Sequence, residues 1–352
     1  MRFSLARFFG FVILCSLFIL CFSCENDSSV QEHIAPIAPT LSTDIVRFDQ
    51  LVHQLPDEDL LSSYASLSDQ YPNFATLYRD QLLQAKTPER LTEELLIDHT
   101  DTSFVLLYDD VQKIIGDLSD VKPEIDQLLE NYLKVFDLPS RSLPNVYTFI
   151  SGFSYLAFLF DDGDKDGIGV GLDMFLGDQF PYTTVHPANP NFSQYLLRTY
   201  NKDHMAKKIA EVLVEDQLQQ PYKSDFLTLM VWGGKKLYLM DQILDFKSDS
   251  IVLEYTADQL AWCRENEPQM WNHFFEEELF YETNLTKFNK LIAPSPTSPG
   301  MPPEAPGQTG NYMGWQIVKA YMNRYPETSI RELIDLVDAQ KLLDESKYKP
   351  SR

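Results

Sequence analysis

One stretch, Val146 to Phe180 (VYTFISGFSYLAFLFDDGDKDGIGVGLDMFLGDQF), reads as consecutive strands while the sequence on both sides of it has helical spacing. It is rich in β-branched and aromatic residues, and Gly152 and Ser154 interrupt it as a turn or bulge would. Strands are expected at 146–150 and 155–160, with 167–172 returning across the acidic turn Asp162-Gly163-Asp164-Lys165-Asp166-Gly167. A chain with one such region is limited in its architecture. The expected fold class is α+β, predominantly helical, with a small antiparallel sheet (about 145–175) packed by helices.

Helices are expected at 44–55, 56–71, 73–85, 88–98, 102–118 and 123–136. In the last of these Ile125, Leu128, Leu129, Tyr132, Leu133 and Phe136 recur as the stripe that docks on a core. Beyond the strands, helix 203–218 carries Met205, Ile209, Val212 and Leu213 on its apolar face. Helix 226–243 is apolar nearly all round, yet Gly233-Gly234-Lys235-Lys236 sits in its middle. Adjacent lysines argue against a membrane span and for a buried helix whose glycines admit a second backbone. A helix from Thr256 is interrupted or restarted by Pro268, and 314–325 and 329–337 close the chain. Between Ala293 and Thr309 the run PSPTSPGMPPEAPGQT has no periodicity; it is an ordered functional loop or a loose insertion.

At the N-terminus Arg2 and Arg7 precede an apolar run, Phe8 to Phe22, followed by Ser23-Cys24 and polar residues. This is an export signal of the bacterial lipoprotein kind, residues 1–23, cleaved before Cys24 with acylation of Cys24. The alternative is an uncleaved anchor, for which the run falls short of the ~20 residues a spanning helix needs. Residues 24–43 (with IAPIAPTLST) read as a flexible tether and 44–352 as a single domain. The mature body then retains Cys263 alone, so no intrachain disulfide or cysteine metal site supports it. Loss of Arg2 and Arg7 takes the formal charge from −23 to −25. Such a chain is a poor partner for nucleic acid and is held to a membrane by its lipid rather than by charge.

Two sets of residues invite chemistry. Asp162, Asp164, Asp166 and Gly167 match the first half of a calcium loop, with Asp173 at the twelfth position. The strand-like flanks and Gly169 and Gly171 argue instead for a solvated hairpin turn. The six histidines form no ligand pattern: His33 is in the tether, His53 and His99 in the helical third, and His186, His204 and His273 are scattered. No His-Glu-x-x-His, Gly-x-Ser-x-Gly, phosphate loop or dinucleotide turn is present. His204 with Lys208 is the nearest helical pair, and a lysine is a poor co-ligand.

Several runs carry a family resemblance: Ile45-x-Arg47-Phe48-Asp49, Thr148-Phe149-Ile150-Ser151-Gly152-Phe153, Gly169 through Gly177 (GVGLDMFLG), Gly234-Lys235-Lys236-Leu237-Tyr238, Tyr255-Thr256 and Trp262-Cys263. Trp271-x-x-Phe274-Phe275, Gly314-Trp315-Gln316-Ile317-Val318 and Ser346-Lys347-Tyr348-Lys349-Pro350 complete it. Together they resemble the gliding-motility lipoprotein GldB family of the Bacteroidetes over essentially the whole mature chain. The resemblance implies a lipid-anchored envelope protein, its body exported and periplasmic, that works with other gliding and type IX secretion components. The order of elements also resembles a zinc-peptidase-like (zincin-like) domain without an intact metal motif. In that register His204 keeps the first ligand, Met205 replaces the general base, Lys208 replaces the second histidine, and Lys235 and Lys236 stand near the third ligand. The implied protein is a pseudoenzyme that binds, with no catalytic residues and no required cofactor beyond optional calcium. The alternative is a divergent metal-dependent hydrolase of envelope peptide or glycan, using a set such as His186, His204 and Asp173.

Overall fold

The computed structural model describes residues 39–350, apart from His186, Ala188 and Asn189. The export signal, Cys24, His33 and most of the tether lie outside the described residues, as does His186. The strand-rich stretch does form the sheet. Strands β1 (Ile45–Val46), β2 (Asn145–Phe149), β3 (Ala157–Asp161) and β4 (Asp166–Gly171) lie in the order β1-β2-β4-β3.

Only half of the antiparallel expectation survives. The β3–β4 hairpin is antiparallel, but β4 pairs with β2 in parallel and β2 pairs with β1 in parallel, so the sheet is mixed. The cause is the segment between Phe149 and Ala157, which carries the chain past one strand position. The hairpin then folds back to insert β4 beside β2 and leaves β3 at the edge. Strand β1 falls within the expected helix 44–55, and helix α1 begins only at Phe48 and ends at His53.

The sheet separates two cores. On one face Tyr147 and Phe149 meet Phe48, Tyr64, Phe74 and Tyr78 from α1, α2 (Leu60–Gln70), α3 (Pro72–Leu77) and the π-helical turn that follows. Phe158 and Phe160 close this face by lying across β4, where a methyl group on Gly167 or Gly169 would come within 2.3–2.4 Å of their rings. The repeated glycines of GIGVG are therefore a seat for two aromatic side chains. On the other face Val146, Ile168 and Val170 join the larger core. That core includes α6 (Lys122–Val135), which follows α4 (Pro88–Thr100) and α5 (Thr102–Ile115). Of the stripe expected on 123–136, Ile125, Leu128, Leu129, Tyr132 and Leu133 are buried, and Phe136, just past the end of α6, is half-buried.

After two short turns, α7 (Tyr182–Val185) and α8 (Gln194–Leu197), the second half is helical: α9 (Met205–Gln217), α10 (Phe226–Ile243), α11 (Asp249–Leu253), α12 (Ala257–Glu265), α13 (Glu267–Glu276), α14 (Leu285–Ile292), α15 (Thr309–Arg324), α16 (Ile330–Asp335) and α17 (Ala339–Ser346). Thr256 and Gln259 form a capping box at α12, and Pro268 sits in the first turn of α13, so the proline restarts the helix rather than bending it. Helix α10 packs most closely on α15. A methyl group on Gly234 would lie 2.1 Å from the Gly314 carbonyl carbon, and one on Gly314 would lie 1.9 Å from the Met230 oxygen. The two backbones touch there, which no larger residue permits.

The end of the expected tether is not loose. Thr40 and Leu41 donate backbone N–H bonds to Glu130 Oε2 at 2.6 and 3.1 Å, and Thr43 donates to Asp126 Oδ1 at 2.8 Å. Two carboxylates on α6 thus clamp the chain before it enters β1. No helix among the described residues is long and apolar enough to cross a membrane.

Candidate functional site

A cavity of about 430 Å3 opens between α9, α10, the end of α11 and the Pro-rich loop. Its apolar wall is Leu156, Leu229, Trp232 and Met240, and Gln308 and Asn311 add polar edges. The Pro-rich segment is an ordered wall. Ser298 Oγ donates to the Pro306 oxygen at 2.6 Å and lies 2.8 Å from Thr309 Oγ1, while Tyr255 donates its hydroxyl to the Gly307 oxygen at 2.6 Å.

The remaining wall is charged. On α9 the spacing of Lys207, Lys208, Glu211 and Glu215 places them on one stripe, three and four residues apart. Lys207 Nζ lies 3.0 Å from Glu211 and 3.1 Å from Glu254, and Lys208 Nζ lies 2.5 Å from Glu254 and 3.8 Å from Glu211. From α10, Lys236 reaches Glu211 at 2.6 Å and also pairs with Glu215. Glu254 comes from the residue that ends α11, held in the left-handed region at φ 56°. Arg198 fixes that turn by donating to the Glu254 carbonyl. Three ammonium groups and three carboxylates therefore form one cluster, of which all but Glu215 line the cavity.

Burial alone would favour neutral forms, and the pairing reverses it for the acids. Burial works against ionised Glu254, but Lys207 and Lys208 outweigh it and bring its pKa down to about 2. Glu211 is likewise opposed by burial and held well below the carboxylate range by Lys207, Lys236 and Lys208. Burial also opposes charge on Lys207, yet Glu211 and Glu254 carry its pKa above the usual value. For Lys208, burial and the neighbouring Lys207 win and its pKa is lowered.

The residues singled out in the sequence divide among different places. Lys236 belongs to this wall, whereas Lys235 is buried elsewhere, donating to the Leu336 carbonyl at 2.6 Å with its pKa lowered to about 8 by burial. His204 stands at the start of α9, its Nδ1 2.8 Å from Asn201 Oδ1. Burial lowers its pKa to about 4, with Glu254, Lys208, Lys207 and Asp203 as the charges around it.

Asp173 is fully buried, and its carboxylate accepts from the backbone of Ser151 at 2.9 Å, the backbone of Phe153 at 2.5 Å and the Ser151 hydroxyl at 3.0 Å. It fixes the crossover after β2. Asp162, at the opposite end of β4, accepts from Tyr147 at 2.8 Å and Asn145 at 3.0 Å. The six residues of β4 separate the two, roughly 20 Å of strand, so Asp173 does not return as a twelfth calcium ligand. Asp164 and Asp166 remain at the hairpin. Among the described residues no group of three or more His, Cys, Asp or Glu is arranged to hold a metal ion.

Lys207, Glu211 and Glu254 are not legible as site residues from the sequence. The i, i+4 pairs on α9 read as a solvated face, and Glu254 joins them only through the fold. In the family-like opening, Arg47 pairs with buried Asp49 at 2.8 Å, Thr148 donates to Asp49 at 2.6 Å, and Phe48 enters the core, so these residues join β1 to β2. The family model described as "Gliding motility protein GldB" matches residues 27–350. No curated protein and no solved structure matches the chain.

Proposed function

The chain belongs to the gliding motility protein GldB family, and on that premise we propose that it is a lipid-anchored envelope protein acting as a non-catalytic component of the gliding and type IX secretion-linked machinery. It works by binding other envelope proteins, with the acyl chain on Cys24 holding an exported, periplasmic body at the membrane. The observation that carries the non-catalytic reading is the charge pairing at the cavity. Each ammonium and carboxylate there is engaged by an opposite charge, which favours a structural or recognition role for the wall.

The test is genetic. Deleting the gene, or changing Cys24→Ala so that the body is released from the membrane, should abolish colony spreading in a gliding host. Crosslinking from the β3–β4 hairpin should capture an envelope component of the same machinery. Wild-type spreading after deletion would refute the assignment.

A further inference from the structure

Strand β3 ends the sheet, and its free edge has the properties of a pairing site. In the β3–β4 ladder Leu156 is bonded to Gly171, and Asp162 to Lys165. By the alternation of an antiparallel pair, the peptide groups of Ala157, Leu159 and Asp161 point away from β4. Among the described residues no hydrogen bond meets those outward N–H and C=O groups. Lysine, proline or a bulge, which commonly blunt an edge, are absent from Ala-Phe-Leu-Phe-Asp; Asp161 alone places a charge on it, and α9 packs along the strand.

The two sides of this edge differ. On one, a groove of about 530 Å3 runs between β3 and the α3 region, lined by Leu77, Leu82, Tyr155, Phe158 and Phe160, with Asp80 and Asp161 among its polar lining. Tyr155 is 43% exposed there. On the other, Asp161 lies directly opposite Asp166 in the ladder. Like charges so placed repel. Burial raises the pKa of Asp166, and Asp216 of α9 and Asp161 raise it further. No salt bridge to a lysine or arginine neutralises any of the three among the described residues.

We propose that the β3 edge receives an extended segment of a partner protein as a fifth strand, with apolar side chains alternating with basic ones. The strand period of two sends one set of side chains into the aromatic groove and the other toward Asp161, Asp166 and Asp216. The backbone bonds supply pairing, the groove selects apolar residues, and the acidic trio selects lysine or arginine. This deepens the reading of the protein as an interaction component and rests on it, but it is tested apart from it. Loss of gliding on gene deletion with no peptide binding would remove this inference and leave the other.

The experiment uses the full-length mature protein in detergent and a synthetic peptide of alternating lysine and valine. Three comparisons are made: the same peptide N-methylated at alternate backbone positions, an alternating glutamate and valine peptide, and the Leu159→Pro protein. Proline at Leu159 removes an outward N–H, which an edge strand tolerates, together with a half-buried side chain packed on the larger core. The lysine–valine peptide should bind and slow amide exchange at Ala157 and Leu159. N-methylation and Leu159→Pro should each weaken binding ~10-fold or more, the loss expected for one or two backbone hydrogen bonds. The glutamate peptide should bind at least ~10-fold more weakly as well. Should Leu159→Pro fail to fold, the N-methylated peptide on the wild-type protein decides alone. Equal binding of the methylated peptide overturns the proposal. So does protection of the Ala157 and Leu159 amides before peptide is added, which would mean that another part of this chain or a second copy already covers the edge.

Discussion

Glu254→Gln is the most informative single change in the cavity wall. It keeps the side-chain shape and the left-handed backbone at φ 56°, and removes one of three negative charges. Lys208 loses its 2.5 Å partner and is left with Glu211 at 3.8 Å, while Lys207 keeps Glu211 at 3.0 Å. Removing one member of a buried pair costs ~3–5 kcal/mol, because the remaining charge stays desolvated. With an unfolding entropy of ~2.1 cal/mol/K per residue over roughly 300 ordered residues, that loss lowers Tm by ~5–8 °C.

Thermal unfolding followed by circular dichroism at pH 7 measures it. The double variant Glu254→Gln/Lys208→Met, which removes both charges, should regain much of the loss. Acid closes the difference. Glu254 has a folded pKa of about 2 against an ordinary 4.5, so its stabilisation is complete above 4.5 and disappears as pH falls toward 2. Wild type and variant should converge across that window. A Tm change under ~2 °C at pH 7, or a double variant as unstable as the single, would refute the account of the wall as a mutually dependent set.

Gly234→Ala should cost more than ~3 kcal/mol in denaturant unfolding, because its methyl group meets backbone rather than a side chain that can turn away. Asp98 is buried, and burial raises its pKa from 3.8 to about 7. The folded state therefore holds that proton more tightly than the unfolded chain, and wild-type stability falls as pH rises from about 4 to 7. Asp98→Asn should flatten that part of the stability–pH curve, and an unchanged slope would contradict it. Excess calcium should leave Tm unchanged, since Asp173 lies at the far end of β4 from the acidic turn; a rise in Tm would make the turn a calcium site after all.

The helical character, the strand-rich stretch and the close approach at Gly233-Gly234 are legible in the sequence because each is local. Periodicity marks a buried stripe, and a glycine pair inside an apolar helix lowers helix propensity at a cost that a touching backbone offsets. The parallel pairings are not legible. Nothing in Val146–Ile150 distinguishes a neighbour reached through a hairpin from one reached by stepping over a strand position. Nor does β1 announce itself, because two residues joining a sheet across a hundred others leave no pattern in their own sequence. The cavity wall is hidden for a different reason. Lysine and glutamate at helical spacing are usually solvated, and their burial depends on Glu254, which a left-handed turn delivers from α11. Asp173 stands out in the sequence as part of a framework run, and its work in the fold is to hold Ser151 and Phe153.

The clamp on Thr40–Thr43 matters most under the proposed anchoring. If Cys24 carries the lipid, sixteen residue steps lie between it and Thr40, a leash with a contour length of at most ~55 Å. Any pull along it is taken first by Glu130 and Asp126 on α6, and only afterwards by the short β1 strand. Shortening the leash would draw the body inward without touching its surface, whereas removing the two carboxylates would lengthen the leash by a few residues and transfer the load to the sheet. On that proposal, reach and recognition would be set by separate parts of the chain.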